Sequence, residues 1–296
     1  MWLLFLLPPT LEEKVYICKV NKKSMNENTL IALLITLFAG LATGIGSLIG
    51  FFARKTNTKF LSFSLGLSAG VMIYIAFMEM LHGARIELGE VFDSKGRGDA
   101  ITVLLFFGGM ILAGIIDRLI PEAENPHELH NVEEMNGDDN QHHHHSNHKL
   151  RHAGIFSAIA LAIHNFPEGI ATFMTSYTDV GAGIAIAVAV AIHNIPEGIA
   201  VSVPIYHATG SRRKAFWYSF FSGFAEPIGA LVAWLVLLPF ITPALVSCIM
   251  AAVAGIMIYI ALDELLPATH YYGENHIALY GVFLGMAVMA VSLLIF

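Results

Sequence analysis

Two octapeptides carry most of what this chain can do chemically. His164-Asn165-Phe166-Pro167-Glu168-Gly169-Ile170-Ala171 recurs 29 residues later as His193-Asn194-Ile195-Pro196-Glu197-Gly198-Ile199-Ala200, with one substitution. On a helix, His at i and Glu at i+4 share a face, and Asn at i+1 stands three residues from the same Glu. Each Glu can therefore serve two adjacent groups of ligands. Glu226-Pro227 supplies a third carboxylate further along the chain. Imidazole, carboxylate and amide oxygen without a thiolate form the donor set of a borderline divalent ion, Zn²⁺, Fe²⁺, Mn²⁺, Co²⁺ or Cd²⁺, and not of Cu(I); Mg²⁺ is served poorly by two histidines. His164, Glu168, His193, Glu197 and Glu226, with Asn165 and Asn194, exceed the four donors of tetrahedral zinc. That surplus suits a binuclear site bridged by Glu168 and Glu197.

Positioning these groups falls to helices that the composition places in lipid. Of 296 residues, 56% are apolar and only 13% charged, against about 25% charged in a soluble domain, and the mean hydropathy is +0.66. A water-soluble globule is excluded. A spanning helix needs about 20 mainly apolar residues, and eight such runs can be drawn: 29–53, 60–83, 100–120, 153–177, 181–207, 214–239, 243–266 and 275–296. The fold class is all-α, a polytopic membrane protein with eight transmembrane helices. Only Ile241-Thr242-Pro243 separates the sixth run from the seventh, so Pro243 is read as the start of a new helix. The chain then divides into a tail (1–28), helices one to three (29–120), a loop (121–152), helices four and five with the paired motifs (153–207), and helices six to eight (208–296).

His164, His193 and Glu226 each lie about twelve residues from one end of their helix, or ~18 Å at 1.5 Å per residue, near the bilayer midplane. Consecutive spans run antiparallel, so one motif is presented in opposite directions, the local mark of an inverted repeat. Pro167 and Pro196 disturb the carbonyls of Ile163 and Ile192 and are expected to open their helices where polar backbone could line a cavity. An ionised carboxylate at the midplane costs about 2.5–3.5 kcal/mol even on insertion scales, and Glu168, Glu197 and Glu226 repel one another. No Lys or Arg lies at that depth. A divalent cation is the natural counter-charge; the bland alternative, polar groups bonding only one another in a packed bundle, does not explain why the set is duplicated.

Charge also orients the chain. With the N-terminus outside, inner loops hold Arg54, Lys55, Lys59, Arg118, Lys149, Arg151, Arg212, Arg213 and Lys214, and outer loops hold Arg85, Lys95 and Arg97. The excess of bases inside favours this arrangement, with both termini outside. The first 24 residues count against it, adding Lys14, Lys19, Lys22 and Lys23 outside. They lack the basic start of a signal peptide, and residues 1–24 are expected to be a non-native extension, with Met25 as initiator. Seven acids against Lys149 and Arg151 fall between Pro121 and His152, so much of the net charge of −7 belongs to one loop. Its composition is that of a disordered segment, and His142, His143, His144, His145 and His148 make it a candidate cytosolic metal sensor, a passive linker being the alternative. Cys18 and Cys248 match no metal or redox spacing. The scattered bases exclude a nucleic-acid partner.

The paired HNxPEG motifs, the eight spans, the His-rich third loop and Glu226 in the sixth span together resemble the ZIP (ZRT/IRT-like) family of divalent metal transporters, in its bacterial ZupT-like branch, over residues 26–296. The resemblance implies an inner cell-membrane location, uptake toward the cytosol, a three-plus-two-plus-three helix plan with an inverted repeat, and a homodimer. By motif position it also implies a first metal site of His164, Glu168, His193 and Glu197, and a second of Asn165, Glu168, Asn194, Glu197 and Glu226. Many family members carry Gln-Asp where this chain has His193-Asn194, a departure that implies a metal range broader than zinc.

Other polar residues are candidates for a relay. Glu79, near the outer end of the second helix, could gather metal with His82 at an entrance, or pair with His82 or Arg85. Asp117, at the inner end of the third, could serve an exit or bond Arg118. Asp263 and Glu264, near the inner end of the seventh, read as an exit relay, with His270 and His276 close by. Gly40, Gly44, Gly46, Gly50, Ser64, Gly66, Ser68 and Gly70 read as small residues that let helices approach, Trp2, Trp217 and Trp234 as interface anchors, and the methionines as packing or lipid-facing. The chain reads as a carrier of divalent ions, without a resident cofactor, and not as an enzyme. An intramembrane zinc-dependent hydrolase is the alternative, but the H-E-x-x-H order it would need is absent. A Gly-rich phosphate loop is absent too, which argues against ATP coupling.

Overall fold

A computed structural model describes residues 25–52, 58–119, 162, 165–271 and 275–295. The tail with Trp2 and Cys18, the His-rich loop with His142, His143, His144, His145 and His148, and His164 lie outside the described residues. Among the described residues all regular structure is helical. Helix α1 spans Met25–Phe52. Helix α2, Thr58–Ile75, continues through a π-helical turn, Ala76–Leu81, into α3, His82–Val91. A short reversal follows, in which Asp93 adopts a positive φ of 45°, and α4 covers Lys95–Leu119. Residues 165–178 form α5. Asp179 starts α6, Val180–Thr209, as an N-cap, accepting from Gly181 N at 2.8 Å and Ala182 N at 3.1 Å, and Gly210 ends it in the left-handed conformation with φ 61°.

The sixth span is built in pieces. Helix α7, Arg212–Gly223, gives way at Phe224 to α8, Ala225–Val232, followed by a π turn, Ala233–Leu237, and a 3₁₀ turn, Leu238–Phe240. Pro227 has no N–H, and its ring crowds the carbonyl four residues back, that of Gly223. The helix restarts as a result, and Glu226 lies in the first turn of α8, where the helix dipole favours an anion. Helix α9, Pro243–Ile260, begins at Pro243, and Thr242 Oγ1 caps it by accepting from Leu245 N at 3.1 Å. It passes through a π turn, Ala261–Leu265, into α10, Leu266–Tyr271, and α11, Asn275–Ile295, closes the chain.

Seven stretches among the described residues are long and apolar enough to cross a membrane: Glu27–Ile49, Lys59–Val91, Lys95–Arg118, Val180–Ile199, Arg212–Phe240, Pro243–Leu265 and His276–Ile295. Helix α5 falls in the remaining apolar run, part of which lies outside the described residues. The second span runs to Val91, past the apolar limit at 83, because Arg85, Glu87 and Glu90 end the hydropathy without ending the helix. Pro196 does not break α6, which stays helical from Val180 to Thr209. The expected opening of that helix is therefore absent, and the break falls in the sixth span instead.

A further repeat organises the bundle. Ala69-Gly70-Val71-Met72-Ile73-Tyr74-Ile75-Ala76 in the second span returns as Ala254-Gly255-Ile256-Met257-Ile258-Tyr259-Ile260-Ala261 in the seventh, and a π turn starts at Ala76 in one and at Ala261 in the other. Backbone-to-backbone contacts match in the same register. Gly70 packs on the Val282 carbonyl as Gly255 packs on that of Phe106, and Gly285 packs on Leu67 as Gly109 packs on Ala252. Around the octapeptides, Gly46 meets the Ile195 carbonyl as Gly229 meets that of Phe166, and Gly198 meets Thr43 as Gly169 meets Glu226. At each of these glycines an added β-carbon would collide with a carbonyl oxygen of the neighbouring helix. The sites of closest approach are thus small by necessity, while Leu34, Phe38, Leu104, Ile111 and Phe283 face outward, as a lipid surface requires.

Two adjacent glycines of α4 separate these roles. A methyl at Gly108 meets nothing within 4 Å, whereas one at Gly109 strikes the Ala252 carbonyl. Gly108→Ala is expected to leave stability equal or raise it by about 0.5–1 kcal/mol, and Gly109→Ala to lower it by about 1–3 kcal/mol, measured by thermal unfolding in detergent.

Candidate metal site

The polar residues of the octapeptides come together in the middle of the bundle. Asn165 and Glu168 on α5, His193, Asn194 and Glu197 on α6, and Glu226 on α8 are all buried, none more than 3% exposed. His193 Nε2 lies 3.0 Å from Glu168 Oε1, joining the two motifs across helices. Asn194 Nδ2 donates to Glu226 Oε1 and, at 3.0 Å, to the carbonyl of Ala39 on α1. Asn165 Nδ2 donates to the carbonyl of Ser222 on α7 at 3.5 Å. The two amides thus use their NH₂ groups to fasten the motifs to the flanking spans, and that leaves their oxygens available.

Those oxygens lack donors. Among the described residues Asn165 Oδ1, both oxygens of Glu168, Asn194 Oδ1 and Glu226 Oε2 have no hydrogen-bond partner although all are buried. Buried acceptors in native structures are nearly always satisfied, and leaving one bare costs about 1–3 kcal/mol, more for a charged group. No Lys or Arg among the described residues is buried. A concentration of acceptors with no donor is chemically suited to a cation. Among the described residues no three His, Cys, Asp or Glu side chains close on one point as a ready metal cage, and His164, the remaining imidazole of the motifs, is outside them.

Sequence reasoning missed Ser68. It read as a packing residue in a stripe of small ones, but its buried hydroxyl donates to Glu197 Oε1 at 3.3 Å and also approaches the carbonyl of His193 at 3.5 Å. Ser68 stands immediately before Ala69-Gly70, the start of the second repeat.

The relay candidates separate into two groups. Glu79, half-buried on the first π turn, has His82 and Asp179 as charged neighbours. Arg85 is not its partner, because Arg85 Nε pairs with Asp99 Oδ1 at 3.0 Å. Asp117 reaches across to the seventh span, where its Oδ2 accepts from Tyr259 Oη at 3.5 Å. Tyr259 also has Asp263 and Glu264 as neighbours, both on the second π turn. Each π turn therefore carries an acid toward its end of the bundle, as π turns at functional sites often do.

Asn194→Ala removes the donor that holds Glu226 and leaves a buried carboxylate short of a partner. It is expected to cost about 1–3 kcal/mol, with most of the loss cancelled when Glu226→Leu is added. A double-mutant cycle of thermal unfolding measures this coupling.

Known proteins share much of this sequence. A family model described as ZIP Zinc transporter matches residues 27–293. The Zinc transporter ZupT of Oceanobacillus iheyensis is 58% identical over 269 residues, covering 91% of this chain and 99% of the relative. That of Nitratidesulfovibrio vulgaris is 55% identical over 275 residues (91% and 98%), and that of Streptococcus mutans 53% over 272 (92% and 100%).

Proposed function

The chain belongs to the ZIP zinc transporter family, and from that premise we propose that it carries Zn²⁺, and with it Fe²⁺, Mn²⁺, Co²⁺ and Cd²⁺, across the cell membrane into the cytoplasm. It is a multi-pass membrane protein and not an enzyme. The observation that carries the reading is the group of buried oxygens on Asn165, Glu168, Asn194 and Glu226 that meet no donor among the described residues. Lipid supplies no donor and the described residues bury no Lys or Arg beside them, so the ion in transit is the group that satisfies them.

In this reading His164, Glu168, His193 and Glu197 hold one ion and Asn165, Glu168, Asn194, Glu197 and Glu226 the other, with both bridging carboxylates shared. Many exchangeable ligands suit a cargo that must also leave, whereas a closed cage of four suits a structural ion. Glu79 and His82 gather the ion at the outer end, Asp117, Asp263 and Glu264 pass it on at the inner end, and the loop carrying His142, His143, His144, His145 and His148 senses it in the cytosol. Eight spans in a three-plus-two-plus-three plan, both termini outside, and a homodimer complete the proposal. The matching contacts of Gly70 and Gly255, of Gly285 and Gly109, and of Gly46 and Gly229 support that plan, since each pair relates a helix of the first unit to one of the last, and those of Gly198 and Gly169 relate the two helices of the middle unit.

Purified protein in liposomes loaded with a zinc-sensitive dye is expected to pass Zn²⁺, and Glu168→Ala or Glu197→Ala to lower the rate by 100-fold or more, on the order of the 2.7 kcal/mol or greater cost of losing a buried charged ligand. Folded protein without flux would overturn the reading. Imidazole ligands add a pH dependence. An ordinary imidazole takes its proton near pH 6.5 and then cannot bind metal, so uptake at fixed Zn²⁺ is expected to fall below about pH 6. A rate that stays flat well below that value counts against His193 as a ligand.

A further inference from the structure

The two bridging carboxylates occupy the same position in the two octapeptides, but the structure treats them differently. Glu197 Oε1 accepts from Ser68 Oγ at 3.3 Å, and Ser68 is wholly buried on α2, a helix that brings no other hydrogen bond to the motifs among the described residues. Neither oxygen of Glu168 receives a hydrogen bond from any described residue; its near neighbour is His193 Nε2 at 3.0 Å, itself a candidate ligand. The register of the second repeat explains the difference. Ser68 precedes Ala69-Gly70 in the second span, and the residue preceding Ala254-Gly255 in the seventh is Val253, buried and without a hydrogen-bonding side chain. The scaffold is paired at this position and the chemistry is not.

We propose that Ser68 is a positioning residue of the metal site: its hydroxyl fixes Glu197 in one orientation, and Glu168 is left as the carboxylate that turns when an ion arrives or leaves. A carboxylate tethered through one oxygen presents the other in a constant direction, so less rotamer freedom is lost when it takes an ion. A carboxylate whose near neighbour among the described residues is another candidate ligand, His193 Nε2 at 3.0 Å, can turn with the ion that replaces that contact. The carbonyl of His193 lies 3.5 Å from the same hydroxyl, the longer of the two contacts open to its single proton, so the carboxylate at 3.3 Å is the acceptor it serves.

This inference rests on the transport reading, and its test separates the two. In the same liposome assay, Ser68→Ala is expected to raise the KM for Zn²⁺ by about 10- to 100-fold, the range for losing one hydrogen bond to a charged group, with little change in the maximal rate. Ser68→Thr keeps the hydroxyl and is expected to restore KM to within about 2-fold of the parent. Zn²⁺ binding by calorimetry in detergent follows the same order, which gives a readout independent of flux. A Ser68→Ala protein with the parent's KM and affinity overturns the inference. So does a Ser68→Thr protein as impaired as Ser68→Ala, because the loss would then come from packing. If Glu168→Ala and Glu197→Ala themselves retain parental flux, the transport reading fails first. If they are inactive while Ser68→Ala is normal, only the role of Ser68 falls.

Discussion

The rest of the structure depends on one constraint: three carboxylates, Glu168, Glu197 and Glu226, are buried within the spans with no buried Lys or Arg among the described residues to answer them. Taking a single carboxylate-sized ion out of water costs several kcal/mol even after relaxation. Folding alone gives no reason to collect three. The bundle deals with them in two ways. It donates to them from amide and hydroxyl groups, Asn194 to Glu226 and Ser68 to Glu197, and among the described residues it stops short of full satisfaction, which leaves acceptors of the kind a cation needs. A site completed from within would have no use for an ion.

Bringing six such residues to one place requires helices that approach more closely than ordinary side chains allow. Where Gly46 meets Ile195, Gly229 meets Phe166, Gly169 meets Glu226 and Gly198 meets Thr43, the backbones touch. Two of these contacts use the Gly of the octapeptide itself, one residue after its Glu. The motif therefore carries its own packing instruction. The residue that makes the chemistry and the residue that lets the next helix reach it are neighbours in sequence, which is why the octapeptide recurs as a unit.

Much of this was legible in the sequence because it follows from local rules. Apolar runs marked the spans, Pro243 marked a helix start, and the i, i+4 spacing of His193 and Glu197 put them on one face. Three features were not legible, each for a physical reason. The helix break at Phe224 comes from Pro227, which acts four residues upstream of itself and leaves no mark on the residues it disrupts. The repeat linking residues 69–76 to 254–261 is written in apolar side chains, which a membrane span uses everywhere, so the likeness stands out only when the matched glycine contacts are seen. Ser68 looked like one more small residue in a close-packed stripe, and a hydroxyl that packs cannot be told from one that donates until its neighbour across the helix pair is known.

The matched contacts also show where the pairing stops. Gly198 meets Thr43 as Gly169 meets Glu226, so Thr43 and Glu226 hold corresponding places on α1 and α8, and only one of them is an acid. Had Thr43 been a second Glu, the site would hold four carboxylates, a full match for two divalent ions and a large surplus over one. Electrostatic attraction in a low-dielectric interior rises steeply with each added charge. Three carboxylates carry one negative charge more than a single divalent ion would neutralise and one fewer than two would. The neutral hydroxyl at position 43, like the apolar side chain at position 253, is thus a place where the scaffold of the repeat is kept and its chemistry is not.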